Sequence, residues 1–285
     1  MKMVKLKGRL GNQMFIYAFA KALAYNTGEK IYFDKENYDN SLENMFNVEM
    51  NFADRKYSEK LIEKFIKKLP KKLRKCTEAT KINPICTEPR ENSYCPELFD
   101  IKGSAYYEGY YQCEKYFANI EDELRHDFTF KPIQDKKLNE QRDKIKSATN
   151  PVFINIRRGD YVTLEEQNIV HWLCSMSYYQ KATKYIIEKI PDATFFAISD
   201  EPEWTRENFK IDYPFEVVSA NLAMYDIYLL SACKHGIVAN SSYSWWGAWL
   251  IDNPDKIICA PSPWLEPERT VDTICDNWIT FSRVD

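Results

Sequence analysis

Arg157 and Arg158 stand side by side directly after an apolar run, in the stretch PVFINIRRGDY from Pro151 to Tyr161. A guanidinium keeps its charge and offers a planar fork of donors matched to phosphate. Neighbouring residues of a strand point to opposite faces, so only one of the two enters any one site. The stretch reads either as a diphosphate clamp, with Asp160 fixing one guanidinium, or as a surface Arg–Asp ion pair at a strand end. Asp200 and Glu201 follow a second apolar run, and Asn240, Ser241, Ser242 and Ser244 follow a third. The serines open the helical segment Tyr243-Ser244-Trp245-Trp246-Gly247-Ala248-Trp249, and helix N-terminal amides with nearby hydroxyls hold anions. An acid at a neighbouring strand end suits ribose hydroxyls or a base edge. Together these residues describe a nucleoside-diphosphate site, against the plainer reading of helix caps and ion pairs.

The first half of the chain offers two further groups. Gly8-Arg9-Leu10-Gly11-Asn12-Gln13 joins a short strand to a helix. Its glycine spacing is not GxGxxG, which argues against a nicotinamide or flavin site but leaves room for a ligand close to the backbone at Gly11. Tyr106-Tyr107-Glu108-Gly109-Tyr110-Tyr111-Gln112 is dense in aromatics. Aromatic faces suit the C–H faces of sugars, with Glu108 and Gln112 for the hydroxyls; packing in a core is the equal alternative.

These groups need elements to position them. Met3 to Lys7 reads as a first strand, the segment to Asn26 as a helix with Phe15, Ala18, Phe19, Ala22 and Leu23 at helical spacing, and Ile31 to Phe33 as a second strand. Lys131 to Asn150 is polar and is where the domain boundary is placed, dividing the chain into 1–148 and 149–285. After it, strands at 152–156, 194–198, 215–218, 236–239 and 256–260 alternate with helices at 177–190, 202–209, 224–233 and 243–251. That rhythm predicts an α/β, doubly wound parallel sheet. Its polar groups then fall at the carboxyl ends of strands, where open α/β sheets bind ligands.

Composition sets the outer bounds. With 45% hydrophobic and 15% aromatic residues, the chain has material for a sizeable core, and a net charge of −3 argues against nucleic-acid binding through bulk charge. No apolar run approaches a membrane span, and MKMVKLKGRLGNQ lacks the apolar core of a secretory signal. The expectation is a cytoplasmic chain with reduced cysteines. Its eight cysteines include no CxxC pair, and Cys76, Cys86 and Cys95 have no interleaved histidine, so no metal site is expected. Arg55 to Lys81 holds eleven Lys or Arg against three Glu, with apolar residues at helical spacing. It reads as a basic helix on the inner face of an anionic membrane or as a helix with a solvated Lys face.

Taken in order, GRLGNQMFIYAFAKAL, YYEGYYQCEKYF, INIRRGDY, FFAISDEPEW and CKHGIVANSSYSWWGAWL resemble the bacterial α-1,2-fucosyltransferases, glycosyltransferase family 11. The resemblance is weakest between Tyr38 and Ser104, which implies a variable acceptor-facing part. It implies a GT-B-like enzyme of two Rossmann-like domains facing across a cleft, the first on the acceptor side and the second binding GDP-fucose. The implied reaction is inverting transfer of L-fucose from GDP-β-L-fucose to the 2-hydroxyl of a galactose-ended glycan in α linkage.

By the same resemblance Arg157 binds the donor diphosphate, Asn12 faces the reacting centre, Ser242 and Ser244 lie near the phosphates, and Asp200 serves the nucleoside end. Asn155 stands where the family commonly carries His. Gly11, Arg158, Asn240, Ser241 and Trp245 complete the donor side, and Glu108, Tyr110 and Gln112 the acceptor side. No Asp-x-Asp motif occurs, in keeping with a cofactor-free, metal-independent mechanism. The base for the attacking hydroxyl stays open between Asp160, which equally serves to orient an Arg, and Glu108. Two alternatives stand beside this reading: a GDP-fucose transferase of other linkage or acceptor, and a non-catalytic sugar-nucleotide or glycan-binding protein.

Overall fold

A computed structural model of the chain describes residues 1–34, 38–53, 85–90, 92–159, 162, 173–220, 223–265 and 271–284. Asp160, Cys76 and the basic stretch around Lys60 to Lys75 lie outside the described residues. The chain forms two compact units, Met1–Lys131 and Pro132–Asp285.

In the first unit, β1 (Lys2–Lys5) leads through a glycine turn into α1 (Leu10–Thr27) and then β2 (Ile31–Asp34). Helix α1 is apolar nearly all round and is correspondingly buried on most of its surface, from Leu10 to Leu23. After α2 (Ser41–Met45) come β3 (Phe52–Ala53), β4 (Ile85–Thr87), β5 (Ala105–Glu108) and α3 (Glu121–Asp127). All strand pairs are parallel, in the order β3-β2-β1-β5-β4. The aromatic stretch at Tyr106 divides between core and loop. Tyr106 and Tyr107 are core residues of β5, and the residues after Glu108 form its carboxyl-end loop.

The second unit opens with α3's successor, α4 (Lys136–Ser147), capped by Asp135, whose side chain accepts the Leu138 N–H at 3.0 Å. The polar stretch at 131–150 thus contains a helix, and only Leu138 and Ile145 of it are buried. Then follow β6 (Pro151–Ile156), α5 (Met176–Lys189), β7 (Thr194–Ser199), α6 (Pro202–Asn208), β8 (Phe215–Val218), α7 (Asp226–Leu230), β9 (His235–Ile237), α8 (Ser242–Trp249), β10 (Ile258–Ser262) and β11 (Ile279–Ser282). All six residues of β6 are buried, as a central parallel strand requires. The order β11-β10-β9-β6-β7-β8, parallel throughout, is a doubly wound sheet. Helix α5 packs Tyr178, Ala182 and Ile186 onto it, over a core that includes Val152, Ile154, Phe195 and Ile237.

The second sheet reverses its winding once, between β6 and β9; in the first, β1 and β5 are neighbours, but β5 is reached inward from the edge strand β4. A sheet that winds outward in both directions from one strand pair leaves a crevice at the carboxyl ends of that pair. One cluster of polar residues singled out by sequence falls at that crevice, and the other at the carboxyl ends of the adjacent β1 and β5.

Candidate active site

At the carboxyl end of β6 the chain runs from Ile156 into Arg157, Arg158 and Gly159. The two guanidiniums part company, as strand alternation requires. Arg157 Nη1 lies 2.7 Å from Asp200 Oδ2. Arg158 turns to the neighbouring α6, with its Nε 3.1 Å from Glu201 Oε2 and its guanidinium carbon 3.5 Å from the centre of the Trp204 ring. Asp200 organises the whole turn. Its Oδ1 accepts the backbone N–H of Arg158 at 3.0 Å, and a Cβ on Gly159 would come within 2.6 Å of Oδ2. The contact between Asp200 Oδ2 and Arg157 is one of charge, not aligned as a hydrogen bond. Burial raises the Asp200 carboxyl above its ordinary value, and the Arg157 charge pulls it partly back.

Asp200, a residue expected at the nucleoside end, thus holds Arg157 by charge and the Arg158 N–H by a hydrogen bond, while Asp160, expected to fix one arginine, lies outside the described residues. Asn155 is also committed to the fold: its Nδ2 donates to the Ile198 carbonyl on β7 at 3.1 Å.

Across the reversal, β9 leads into Asn240, Ser241 and Ser242 at the start of α8. Ser241 is the N-cap residue with no side-chain bond to the helix's own amides, and Ser241 and Ser242 are half-buried at the rim. Asn240 is buried, with Oδ1 3.7 Å from Cys174 Sγ. Ser244 and Trp245, expected on the donor side, are buried. Ser244 is fully buried and its Oγ accepts the Ala239 N–H at 3.1 Å, which pins the loop from below. The Trp245 indole donates to the Thr273 carbonyl at 2.7 Å and packs against Trp246, Trp249 and Trp278. Every residue of α8 from Ser244 to Trp249 is buried, and the half-buried ones are those at its start, 241 to 243. At the far end of α8, Lys256 Nζ reaches three terminal carbonyls, Ala248 at 3.1 Å, Trp249 at 2.9 Å and Ile251 at 3.2 Å.

One residue of this edge escaped sequence reading. Asp226, the first residue of α7, is 6% exposed, and its Oδ1 accepts the Ala220 N–H at 3.2 Å. Burial pushes its carboxyl up to about 7; the negative Asp200 adds to the shift and Arg157 opposes it. The neighbouring Tyr243 hydroxyl accepts the Ile227 N–H at 2.7 Å. A single acid at a helix start carries no motif, so only the fold reveals that it shares the field of Arg157.

In the first unit, the parallel pairing of β1 with β5 brings together the residues after each strand. Gln112 Nε2 donates to Asn12 Oδ1 at 2.8 Å. Lys5 Nζ meets Glu108 Oε1 at 2.8 Å, and Lys7 Nζ sits 4.2 Å from the centre of the Tyr110 ring. Gly11 is buried in the first turn of α1. Gln13 is also buried; its amide donates to the Gly8 carbonyl at 3.0 Å and accepts the Ser41 hydroxyl at 2.7 Å, fixing the glycine turn. Asn12, Glu108, Tyr110 and Gln112 thus form one polar edge, with Glu108 ion-paired.

Two Rossmann-like units, each with a polar edge at the carboxyl ends of adjacent parallel strands, define a GT-B-like glycosyltransferase fold. Residues 96–282 match the family model for Glycosyl transferase family 11. An alpha-1,2-colitosyltransferase from Escherichia coli is 31% identical over 290 residues, covering 98% of each chain. The O-antigen biosynthesis glycosyltransferase WbnK, also from Escherichia coli, is 36% identical over 135 residues, 46% of this chain and 45% of its own. Galactoside 2-alpha-L-fucosyltransferase SEC1 from Bos taurus is 23% identical over 258 residues, 87% of this chain and 63% of its own. Among solved structures, a mutant of Arabidopsis thaliana FUT1 in complex with GDP shares the fold with a TM-score of 0.50 at 12% identity, over 90% of this chain and 69% of that one. The chain belongs to glycosyl transferase family 11 and is a fucosyltransferase-like glycosyltransferase.

Proposed function

We propose that this glycosyltransferase moves L-fucose from GDP-β-L-fucose to the 2-hydroxyl of a galactoside, with inversion and without a metal ion. The observation that carries the reading is the pairing at the reversal of the second sheet. A fixed cation, Arg157, ends β6, and the amide-rich start of α8 follows the adjacent β9. Displacement at the anomeric carbon builds negative charge on the departing GDP, and a preorganised guanidinium with helix N-terminal amides stabilises that charge. Among the described residues the edge carries Asp200, Glu201 and Asp226 against Arg157 and Arg158. An Asp226 that holds its proton near neutrality reduces the repulsion a diphosphate meets there. Asn12, Tyr110 and Gln112, in the first unit, offer the amide groups and aromatic face that a sugar acceptor needs.

A second reading changes only the donor sugar. The relative that matches this chain end to end is named for colitosyl transfer, while the fucosyl relative is matched at lower identity. Incubating the purified chain with GDP-fucose and, separately, with activated colitose, over a panel of galactosides, separates the readings. Linkage assignment of the product by NMR, in buffer with and without EDTA, completes the test. The expected result is an α-1,2-fucosyl product formed equally in both buffers. A product only from activated colitose, another linkage, or turnover restored by added Mn²⁺ or Mg²⁺ would overturn the corresponding part of the reading.

A further inference from the structure

The loop that carries Tyr110 and Gln112 is built around a buried acid at the end of a different strand. Glu88 lies one residue past β4 and is 8% exposed. Its Oε2 accepts the backbone N–H groups of Tyr110 at 2.8 Å and Tyr111 at 3.1 Å, and its Oε1 accepts that of Asn92 at 3.2 Å. Its own N–H donates to the Glu108 carbonyl at 3.0 Å. A carboxylate withdrawn from water needs such donors, and charge-assisted bonds to backbone N–H groups are among the stronger ones.

The arrangement has little slack. A Cβ on Gly109 would lie 2.7 Å from Glu88 Cβ and 2.8 Å from its Oε2. Tyr111 takes a φ of 54°, a region that bulky residues rarely adopt, and its ring stacks on Phe19 with centres 3.8 Å apart. From this anchored turn Gln112 reaches Asn12 Oδ1. We infer that Glu88 is a positioning residue for the acceptor: its carboxylate sets the path of residues 109–112 and, through Gln112, the orientation of the Asn12 amide. The inference rests on the assignment of this edge to the acceptor.

Glu88→Gln keeps the side-chain size but turns an amide NH₂ toward backbone N–H groups, donor against donor. Glu88→Asp keeps the charge but withdraws it by one methylene. Both are to be assayed in the full chain for acceptor KM, donor KM, donor hydrolysis without acceptor, and thermal melting, with Gln112→Ala alongside. A displacement of this kind costs roughly 10- to 100-fold. The expected result for Glu88→Gln is a rise of that size in acceptor KM, with Glu88→Asp intermediate and donor KM and donor hydrolysis unchanged. In folded enzyme, donor and acceptor constants that move together, or neither moving, overturn the role. A Gln112→Ala chain with normal acceptor KM removes the acceptor assignment itself and the inference with it. An altered Gln112→Ala beside unaltered Glu88 variants overturns Glu88 alone. If Glu88→Gln fails to fold, Glu88→Asp decides by the same split; if neither folds, the residue is structural and the inference is overturned.

Discussion

Arg157 and Arg158 are neighbours in sequence with different work. Arg157 faces Asp200 at the crevice, so Arg157→Ala removes the fixed cation and is expected to lower turnover roughly 100- to 1,000-fold with the melting temperature little changed. Arg157→Lys recovers only part of it, because a point charge does not reproduce the fork. Arg158→Ala loses the Glu201 pair and the Trp204 stack, which predicts a stability loss of about 0.5–2 kcal/mol and a smaller kinetic effect. Steady-state transfer assays with melting controls check all three. Asp226 gives a pH signature. Its carboxyl rises from 3.8 to about 7 on folding, so between those values the folded chain holds a proton that the unfolded chain has released. The stability belonging to this group is therefore complete at low pH and is lost as pH climbs through about 7. Asp226→Asn cannot titrate, and its melting midpoint should fall less than the parent's between about pH 5 and about pH 8, measured by calorimetry. An equal fall in both chains would show that Asp226 is not the source of the slope.

Elements explain which residues were legible. β6 was readable because a central parallel strand is buried on both faces and leaves an unbroken apolar run, PVFINI. β11 was not: Ile279–Ser282 lies at the sheet edge, is half exposed, and alternates too briefly to stand out from a loop. β3 and β4, with two and three residues, carry no period at all. The serine run before α8 announced a helix start correctly, but polarity alone does not say which hydroxyl faces inward, as that of Ser244 does. Glu88 was invisible because its partners are backbone N–H groups of Tyr110 and Tyr111, which side-chain patterns do not encode. The same scale supplies a test of α8. Lys256 holds the carbonyls at its C-terminal end, so Lys256→Met removes charge-assisted bonds and a favourable charge at the helix terminus. Such bonds contribute about 1.5–3 kcal/mol, and the variant should melt lower by a corresponding amount. Donor KM should rise as well, since the helix start at Ser241 and Ser242 is then less well held. A lower melting point with an unchanged donor KM would separate helix stability from ligand binding.

At the scale of the whole molecule, the alternation of strands and helices disclosed the second unit well, because parallel sheets impose a rhythm that survives in sequence. The first unit was read only at its opening βαβ, since its later strands are short and far apart. Among the described residues no helix is long and apolar enough to cross a membrane. The contacts described at each polar edge lie inside a single unit: Arg157 with Asp200 after residue 132, and Asn12 with Gln112 before it. Heredity can therefore treat the two as separate cassettes. Recombination near Lys131–Pro132 would pass on one edge intact while exchanging the other.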